Sequence, residues 1–434
     1  MSCVLDFATL LVKDTYQMID PYAYEEGEFN LGRVLNADEG FSGSGSVTND
    51  GHRIVYINDV FQDSEGNCFR VIDILGNGTF SYVFKCQMIQ DPLSFYALKI
   101  IRNLPQYRAT GIGEIYVHHL LENTSDHPGK SIIVQPVSSF ELDGHIVLVF
   151  PLLFRSLFEG IFQSGSITKQ LAMIRNIMVQ ILLGLDFLHS NGVTHCDLKP
   201  DNILFSNESD ENIHIIDLGS ATLSEPPLGQ YMQSRFYRSP EIVLGLQSTY
   251  KIDLWSAGCI GAELFLDFAL FACENEYDVI HTMSFMLGEF PESMISQSKG
   301  WYKFFDYGRD GYKLKSDQES IIVEKHSYST RIIDNGGASL PELILNHVPV
   351  QSEEEIVSLE CFTHFILSLL QIDPDQRMSA YEALHHPFLT EEPFPETCAI
   401  QEKHQQSFRK GNLEGNFPKS CSFHELDESF LSVF

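Results

Sequence analysis

His195-Cys196-Asp197-Leu198-Lys199-Pro200-Asp201-Asn202 is followed, fifteen residues after its Asn, by Asp217-Leu218-Gly219. An Asp, a Lys and an Asn at these offsets can meet a nucleophilic hydroxyl, a γ-phosphate and a metal ion from one loop. A second Asp on the next strand can hold the metal from the other side. In this reading Asp197 is the base or orienter for the hydroxyl, and Lys199 neutralises charge developing on the transferred phosphoryl group. Asn202 and Asp217 bind Mg2+, a hard cation that takes oxygen ligands. His195 supports the loop from the core. Each Asp alone is more often a cap or a surface charge; the joint pattern carries the reading.

Upstream, Leu75-Gly76-Asn77-Gly78-Thr79-Phe80-Ser81-Tyr82-Val83 lies between two strand patterns. Glycines let backbone N–H groups approach phosphate oxygens without Cβ clashes. Alone the motif is weak, and a plain hairpin turn is the better bet for it. A dinucleotide fold needs a helix directly after the glycines. Here a strand follows, which disfavours that fold. Ser81 takes the third-glycine position. Tyr96-Ala97-Leu98-Lys99-Ile100 reads as a strand with an inward Lys, which needs an anion or counter-charge because burying it bare is costly. The α/β-phosphates of ATP can supply the anion. Glu114, fifteen residues on in a helical segment, can supply the orienting carboxylate. An isolated strand Lys is usually a solvated edge charge; the motifs on either side reverse that.

The chain has 434 residues, 44% hydrophobic and 20% charged, so most of it can bury a core. The net charge of −31 argues against a nucleic-acid binder and against docking on anionic membrane. It fits basic partners, with solubility an equally good explanation. The nine Cys include no C-x-x-C pair, which points to a reducing compartment, cytoplasmic or nuclear. The N-terminus lacks the basic region and cleavage site of a signal peptide. No apolar stretch of about 18 residues is expected, and so no membrane span.

Residues 1–52 read as an irregular leader. Residues 53–153 read as a sheet-rich unit. Its strands are RIVYIND, FRVIDIL, SYVFKCQMI and SFYALKII, followed by a helix ending near Asn123 and a hairpin turning at Asp143-Gly144. Helical periodicity dominates 154–390, with an insert around 290–355. Residues 391–434 read as a poorly ordered tail.

Over about residues 66–390 the chain resembles a eukaryotic protein kinase. The match includes Ser239-Pro240-Glu241, Asp253-Leu254-Trp255-Ser256-Ala257-Gly258, Asp373-Pro374-Asp375-Gln376-Arg377 and His386-Pro387-Phe388-Leu389. The HCDLKP stretch and Tyr231-Met232-Gln233-Ser234-Arg235-Phe236-Tyr237-Arg238 resemble the DYRK family of the CMGC group. The segment from Asn49 to Val60 is most similar to its YAK branch. The resemblance implies an α+β bilobal kinase fold, with a small antiparallel β-sheet lobe plus one helix and a larger, mainly α lobe. It implies a dual-specificity, ATP- and Mg2+-dependent enzyme acting on Ser/Thr of protein substrates as a monomer. The nucleotide site it implies comprises Gly76, Gly78, Val83, Ala97, Lys99, Glu114, Phe150 as gatekeeper, and Leu152 and Leu153 in the hinge. Substrates of such kinases often carry Pro after the acceptor and Arg before it.

Family members autophosphorylate an activation-segment tyrosine, and Tyr231 takes that position. Arg235 and Arg238 would receive its phosphate. Cys196 stands where most kinases carry an Arg that pairs with an activation-loop phosphate, so constitutive ordering through phospho-Tyr231 is the coherent expectation. Leu218 replaces the usual Phe. The alternatives are a pseudokinase scaffold, kept open by Ser81 and Leu218, and a kinase of another CMGC branch. His118-His119 and His385-His386 have the wrong spacing for a common zinc site.

Overall fold

The computed structural model describes residues 35–36, 47–159, 166–208, 211–230, 232–315 and 338–392. Most of the leader, Tyr231 and the tail from 393 lie outside the described residues. The chain divides into two compact units, Met1–Ile112 with Pro136–Leu152, and Gly113–Gln135 with Leu153–Phe434. The division falls inside one helix, so the second half of that helix groups with the larger unit.

In the first unit, β-branched and aromatic residues alternate and build a six-stranded antiparallel sheet, in the order β1-β2-β3-β4-β6-β5. The strands are β1 (Val60–Gln62), β2 (Cys68–Asn77), β3 (Ser81–Met88), β4 (Phe95–Ile101), β5 (Ser138–Leu142) and β6 (His145–Pro151). Phe69, Val71, Phe84, Cys86, Leu98, Val147 and Val149 close its core. Asp143 and Gly144 both have positive φ (48° and 85°), the geometry a two-residue hairpin demands. Helix α1 (Pro105–Glu122) follows β4.

RIVYIND is not a strand. Among the described residues it carries isolated bridges, at Arg53 (paired with Val47) and at Tyr56, and runs as a strap whose backbone groups are satisfied one by one. Val55 N–H donates to Asn36 Oδ1 (2.9 Å), and Asn58, with φ 70°, donates to Val71 O (2.9 Å). Its β-branched residues signal burial, Ile54 at 3% and Val55 at 0% exposure, and not a ladder.

The second unit is helical. Its helices are α2 (Ile167–Ser190), α3 (Pro240–Val243), α4 (Lys251–Leu266), α5 (Glu276–Leu287), α6 (Glu292–Gln297), α7 (Leu340–Asn346), α8 (Glu353–Leu369), α9 (Ala380–Leu384) and α10 (Pro387–Thr390). Short pairs β7 (Val193–Thr194) with β10 (Thr222–Leu223), and β8 (Ile203–Phe205) with β9 (Ile213–Ile215), frame its loops. Within the expected insert lie α6, α7 and a hairpin, β11 (Phe305–Gly308) with β12 (Gly311–Leu314). Helix α4 is buried all round, from Ile252 to Leu266. A Cβ at Gly261 would come within 2.8 Å of Ile366, so glycine there permits α8 to pack close.

The expectation that no apolar stretch of about 18 residues occurs fails at α2. Helix α2 is long and apolar enough to cross a membrane by length and composition, with a mean hydropathy of 1.6 over its best window. However, 61% of that window is buried in the protein, as in the core helix of a globular unit. Periodic polar residues such as Lys169, Gln170, Arg175 and Asp186 had masked the apolar average.

The His-Pro-Phe end packs through an imidazole pair, His386 buried and His364 half-buried. His386 Nδ1 accepts from Phe388 N–H (3.1 Å), so its proton sits on Nε2 and points to His364 Nδ1 (2.8 Å). An added proton has no acceptor, and burial, then His364, push His386 down to about 4. The unfolded chain titrates near 6.5, so this contribution is complete above about pH 7 and is lost as pH falls towards 4. His386→Phe is expected to flatten the loss of thermal stability between those pH values, read by scanning calorimetry. An unchanged slope would contradict the assignment.

Candidate active site

The catalytic loop hangs from a buried carboxylate. Asp253, in the first turn of α4, accepts from the backbone N–H of His195 (2.8 Å) and Cys196 (3.0 Å) and from His189 Nε2 (2.9 Å). These bonds hold Cys196 at φ 65°, a left-handed conformation that is strained for a non-glycine residue. The Cys196 thiol is buried against Thr194 O and Thr222 Oγ1, both at 3.5 Å. Burial, with Asp253 nearby, pushes it up to about 12. It is a packing group that cannot receive a phosphate.

His195 joins the two motifs. Its Nδ1 accepts from Asp197 N–H (3.2 Å), so Nε2 carries the proton and donates to Ile216 O (3.1 Å). Ile216 N–H returns to Asn202 O (2.9 Å). Asn202 Nδ2 donates to Asp197 O (2.9 Å), which fixes the amide and leaves Oδ1 as the oxygen able to meet a cation. Asp217, at φ 63°, follows Ile216 directly and accepts from Gly219 N–H (3.2 Å). Asp197, Lys199, Asn202 and Asp217 are thus brought into one bonded frame.

Sequence reasoning missed Ser234. Its N–H (2.9 Å) and hydroxyl (2.7 Å) both donate to Asp197 Oδ1. Lys199 Nζ lies 3.2 Å from Asp197 Oδ2 and donates to Ser234 Oγ (3.1 Å). A hydroxyl held between a carboxylate and an ammonium has the surroundings that an acceptor hydroxyl requires. Gln233 beside it has φ 63° and is buried, its side chain donating to Ile252 O (3.0 Å) and Ser256 Oγ (2.9 Å). Arg238 is buried and donates to Met232 O (3.0 Å) and Gln233 O (2.9 Å). Arg235 donates to Glu274 O (2.7 Å). The tyrosine expected to engage this pair, Tyr231, lies outside the described residues.

Below this segment Tyr237 OH donates to Glu263 (2.8 Å). Burial pushes the Glu263 carboxyl up to about 7, and the charge of Asp201 adds to the rise. Glu114, in α1, is buried in the same unit, which also holds Leu153.

The first unit carries the other expected residues. Gly76 pairs with Val83 across the β2–β3 ladder, and Gly78 N–H donates to Ser81 O (2.9 Å). No atom would meet a Cβ at Gly76 within 4 Å. Ser81 is buried opposite Ile101, which accounts for a small residue there. Lys99 is buried on β4 between Val83 and Leu148, and Ala97 lies opposite Phe150. Leu152 N–H donates to Phe95 O (3.4 Å).

A sheet unit with a glycine turn and a buried Lys, and a helical unit with this carboxylate–ammonium–amide frame, define a phosphotransferase of the protein-kinase class. The protein kinase domain family matches residues 69–389, and the chain belongs to that family. It is 33% identical over 409 residues to the serine/threonine-protein kinase ppk15 of Schizosaccharomyces pombe, covering 92% of this chain and 76% of that protein. It is 32% identical to the dual specificity protein kinase YAK1 of Saccharomyces cerevisiae, over 88% of this chain and 49% of the other. The dual specificity protein kinase CLK1 of Homo sapiens is 31% identical, over 78% of this chain and 68% of the other. These relatives place the chain among DYRK-like kinases of the YAK type.

The family implies ATP and a divalent metal ion, and the residues present fit both. The open glycine turn and buried Lys99 suit phosphates. Among the described residues no three His, Cys, Asp or Glu side chains could hold a metal alone. Asn202 and Asp217 offer two oxygens, enough for an ion whose remaining ligands are phosphate and water.

Proposed function

We propose that the chain transfers the γ-phosphate of ATP, with Mg2+, to Ser and Thr of protein substrates, and phosphorylates its own Tyr231. The Asp197–Ser234–Lys199 triangle carries this reading. Asp197 orients the incoming hydroxyl and takes its proton, while Lys199 balances charge on the moving phosphoryl group. Asn202 and Asp217 would hold the metal ion, which would supply neutralisation of phosphate charge. The names of the relatives, serine/threonine and dual specificity kinases, support the same substrate class. The test is incorporation of labelled phosphate from Mg-ATP into a basic protein. Absence of transfer, with ATP bound, would favour a scaffold.

Two features support finer specificity. The Gln233 carbonyl already accepts from the Arg238 guanidinium, which competes with a backbone N–H after the acceptor. Proline, which has none, loses nothing. Asp201, exposed beside the catalytic loop, favours a cationic substrate side chain. In a peptide library, replacing Pro after the acceptor by Ala is expected to lower kcat/KM about tenfold. Equal rates would refute the assignment. The buried Cys residues and the acidic balance support a reducing, cytoplasmic or nuclear setting and no role on nucleic acid or membrane. Tyr231→Phe is expected to lower activity and activation-segment order, measured by kinase assay and hydrogen exchange.

A further inference from the structure

The strap that replaces the expected first strand ends against the glycine turn. Thr48, Asp50 and His52 form a tight turn: Thr48 N–H donates to His52 O (2.7 Å), and His52 N–H to Thr48 Oγ1 (3.0 Å). Gly51, at φ 86°, sets its carbonyl to accept from Asn103 N–H (2.9 Å), and a Cβ there would strike Leu104 at 2.8 Å. The turn is therefore seated on the end of β4. His52, buried, packs its ring edge-on against Tyr82, 4.5 Å between centroids. Tyr82 pairs with Asn77 at the base of the glycine turn.

Arg102 ties the remaining parts together. Its Nε donates to His52 Nε2 (2.7 Å), and its guanidinium lies 3.6 Å from Asp50. Burial, then Arg102, hold His52 neutral by pushing it down to about 4, so the ring nitrogen can accept. The same guanidinium lies over Tyr107, 5.1 Å from the ring centroid. Phe80, at the tip of the glycine turn, packs edge-on to Tyr107 at 5.7 Å. The backbone N–H of Arg102 donates to Phe80 O (3.0 Å). Both the side chain and the carbonyl of Phe80 thus connect to Arg102 directly or through Tyr107.

We infer that His52 and Arg102 are positioning residues: the strap turn Thr48–Arg53 braces the glycine turn, through Tyr82 and Phe80, in the form that grips the phosphates of ATP. The inference rests on reading Gly76–Val83 as the phosphate cradle. A glycine-containing turn has many conformations to lose on binding, and one held in advance loses fewer. The advantage falls on ligands that carry phosphates and not on the nucleoside alone.

The test compares ATP and adenosine binding by calorimetry, with KM and kcat, for the full chain and for His52→Ala and Arg102→Met. ATP affinity is expected to fall about fivefold to tenfold and KM to rise likewise, with kcat within about twofold and adenosine affinity unchanged. The double variant is expected to be no worse than Arg102→Met alone, since both act through one contact set. Parallel weakening of ATP and adenosine, or unchanged ATP affinity in both variants, would overturn the brace. Wild-type protein that binds ATP no tighter than adenosine would instead remove the cradle reading beneath it. If a strap variant does not fold, Tyr107→Leu supplies the test. It leaves the strap bonds intact and removes the ring under Phe80, and the same selective loss of ATP affinity is expected.

Discussion

Asp197→Asn is expected to lower the rate of phosphoryl transfer by about 10²–10⁴-fold while leaving ATP affinity within about twofold. The substitution is nearly isosteric. Asn Oδ1 can still accept from the Ser234 N–H and hydroxyl, as Asp197 Oδ1 does, so the loop should keep its shape. What changes is chemical. The carboxylate that can take a proton is lost, and an NH2 group replaces the oxygen 3.2 Å from Lys199 Nζ. Lys199 then faces a donor and loses its electrostatic partner near the reacting centre. Single-turnover transfer alongside calorimetric ATP binding separates the two effects. Activity within about threefold of wild type would exclude Asp197 from proton handling.

The largest expected effect on stability is at Arg377. Its guanidinium is fully buried and meets Glu241, also fully buried, in a two-pronged pair of 2.7 and 2.9 Å. It also donates to Gln371 O (3.0 Å) and Lys251 O (2.8 Å) and stacks over Trp255 at 5.2 Å. Arg377→Ala leaves Glu241 charged and unpartnered in the core, at a cost of about 3–5 kcal/mol. This should appear as a fall in Tm of about 4–7 °C. Arg377→Lys should recover little, because one ammonium cannot reproduce the fork. Replacing both partners together, Glu241→Leu with Arg377→Met, should be far milder than either single loss. A Tm shift below about 2 °C for Arg377→Ala would show that the pair is not buried in solution.

The parts of the site that lie close in the chain were legible in advance. Asp197, Lys199 and Asn202 share one loop, and Asp217 follows on the next strand, so spacing alone implied their meeting. Lys99 and the glycine turn were legible because strand alternation puts them on known faces. Ser234 was not, because its bonds to Asp197 span 37 residues and any short hydroxyl in that segment reads alike. Asp253, 58 residues from His195, was quoted as part of a motif without a role, since nothing local shows what a helix-start carboxylate accepts. The strap was misread for a related reason. Ile54 and Val55 report burial, and only the tertiary bonds of Asn36 and Asn58 reveal that the segment forms no ladder among the described residues. The helix at α2 was legible from its periodicity, but its apolar length was not, because scattered polar residues hide an average that is apolar.

Cys196, Asp217 and Gln233 share left-handed backbone geometry, at φ 65°, 63° and 63°. Glycine would occupy each position with less strain, yet each side chain has work that a hydrogen atom cannot do: filling the core, capping the turn at Gly219, and knitting the segment beside Ser234. Selection for activity and selection for foldability therefore pull in opposite directions at these three sites. In a lineage where the catalytic duty has lapsed, the tension disappears. Such descendants are expected to drift towards Gly or Asn at these positions before the surrounding core changes, and that drift would mark a decayed copy of this enzyme.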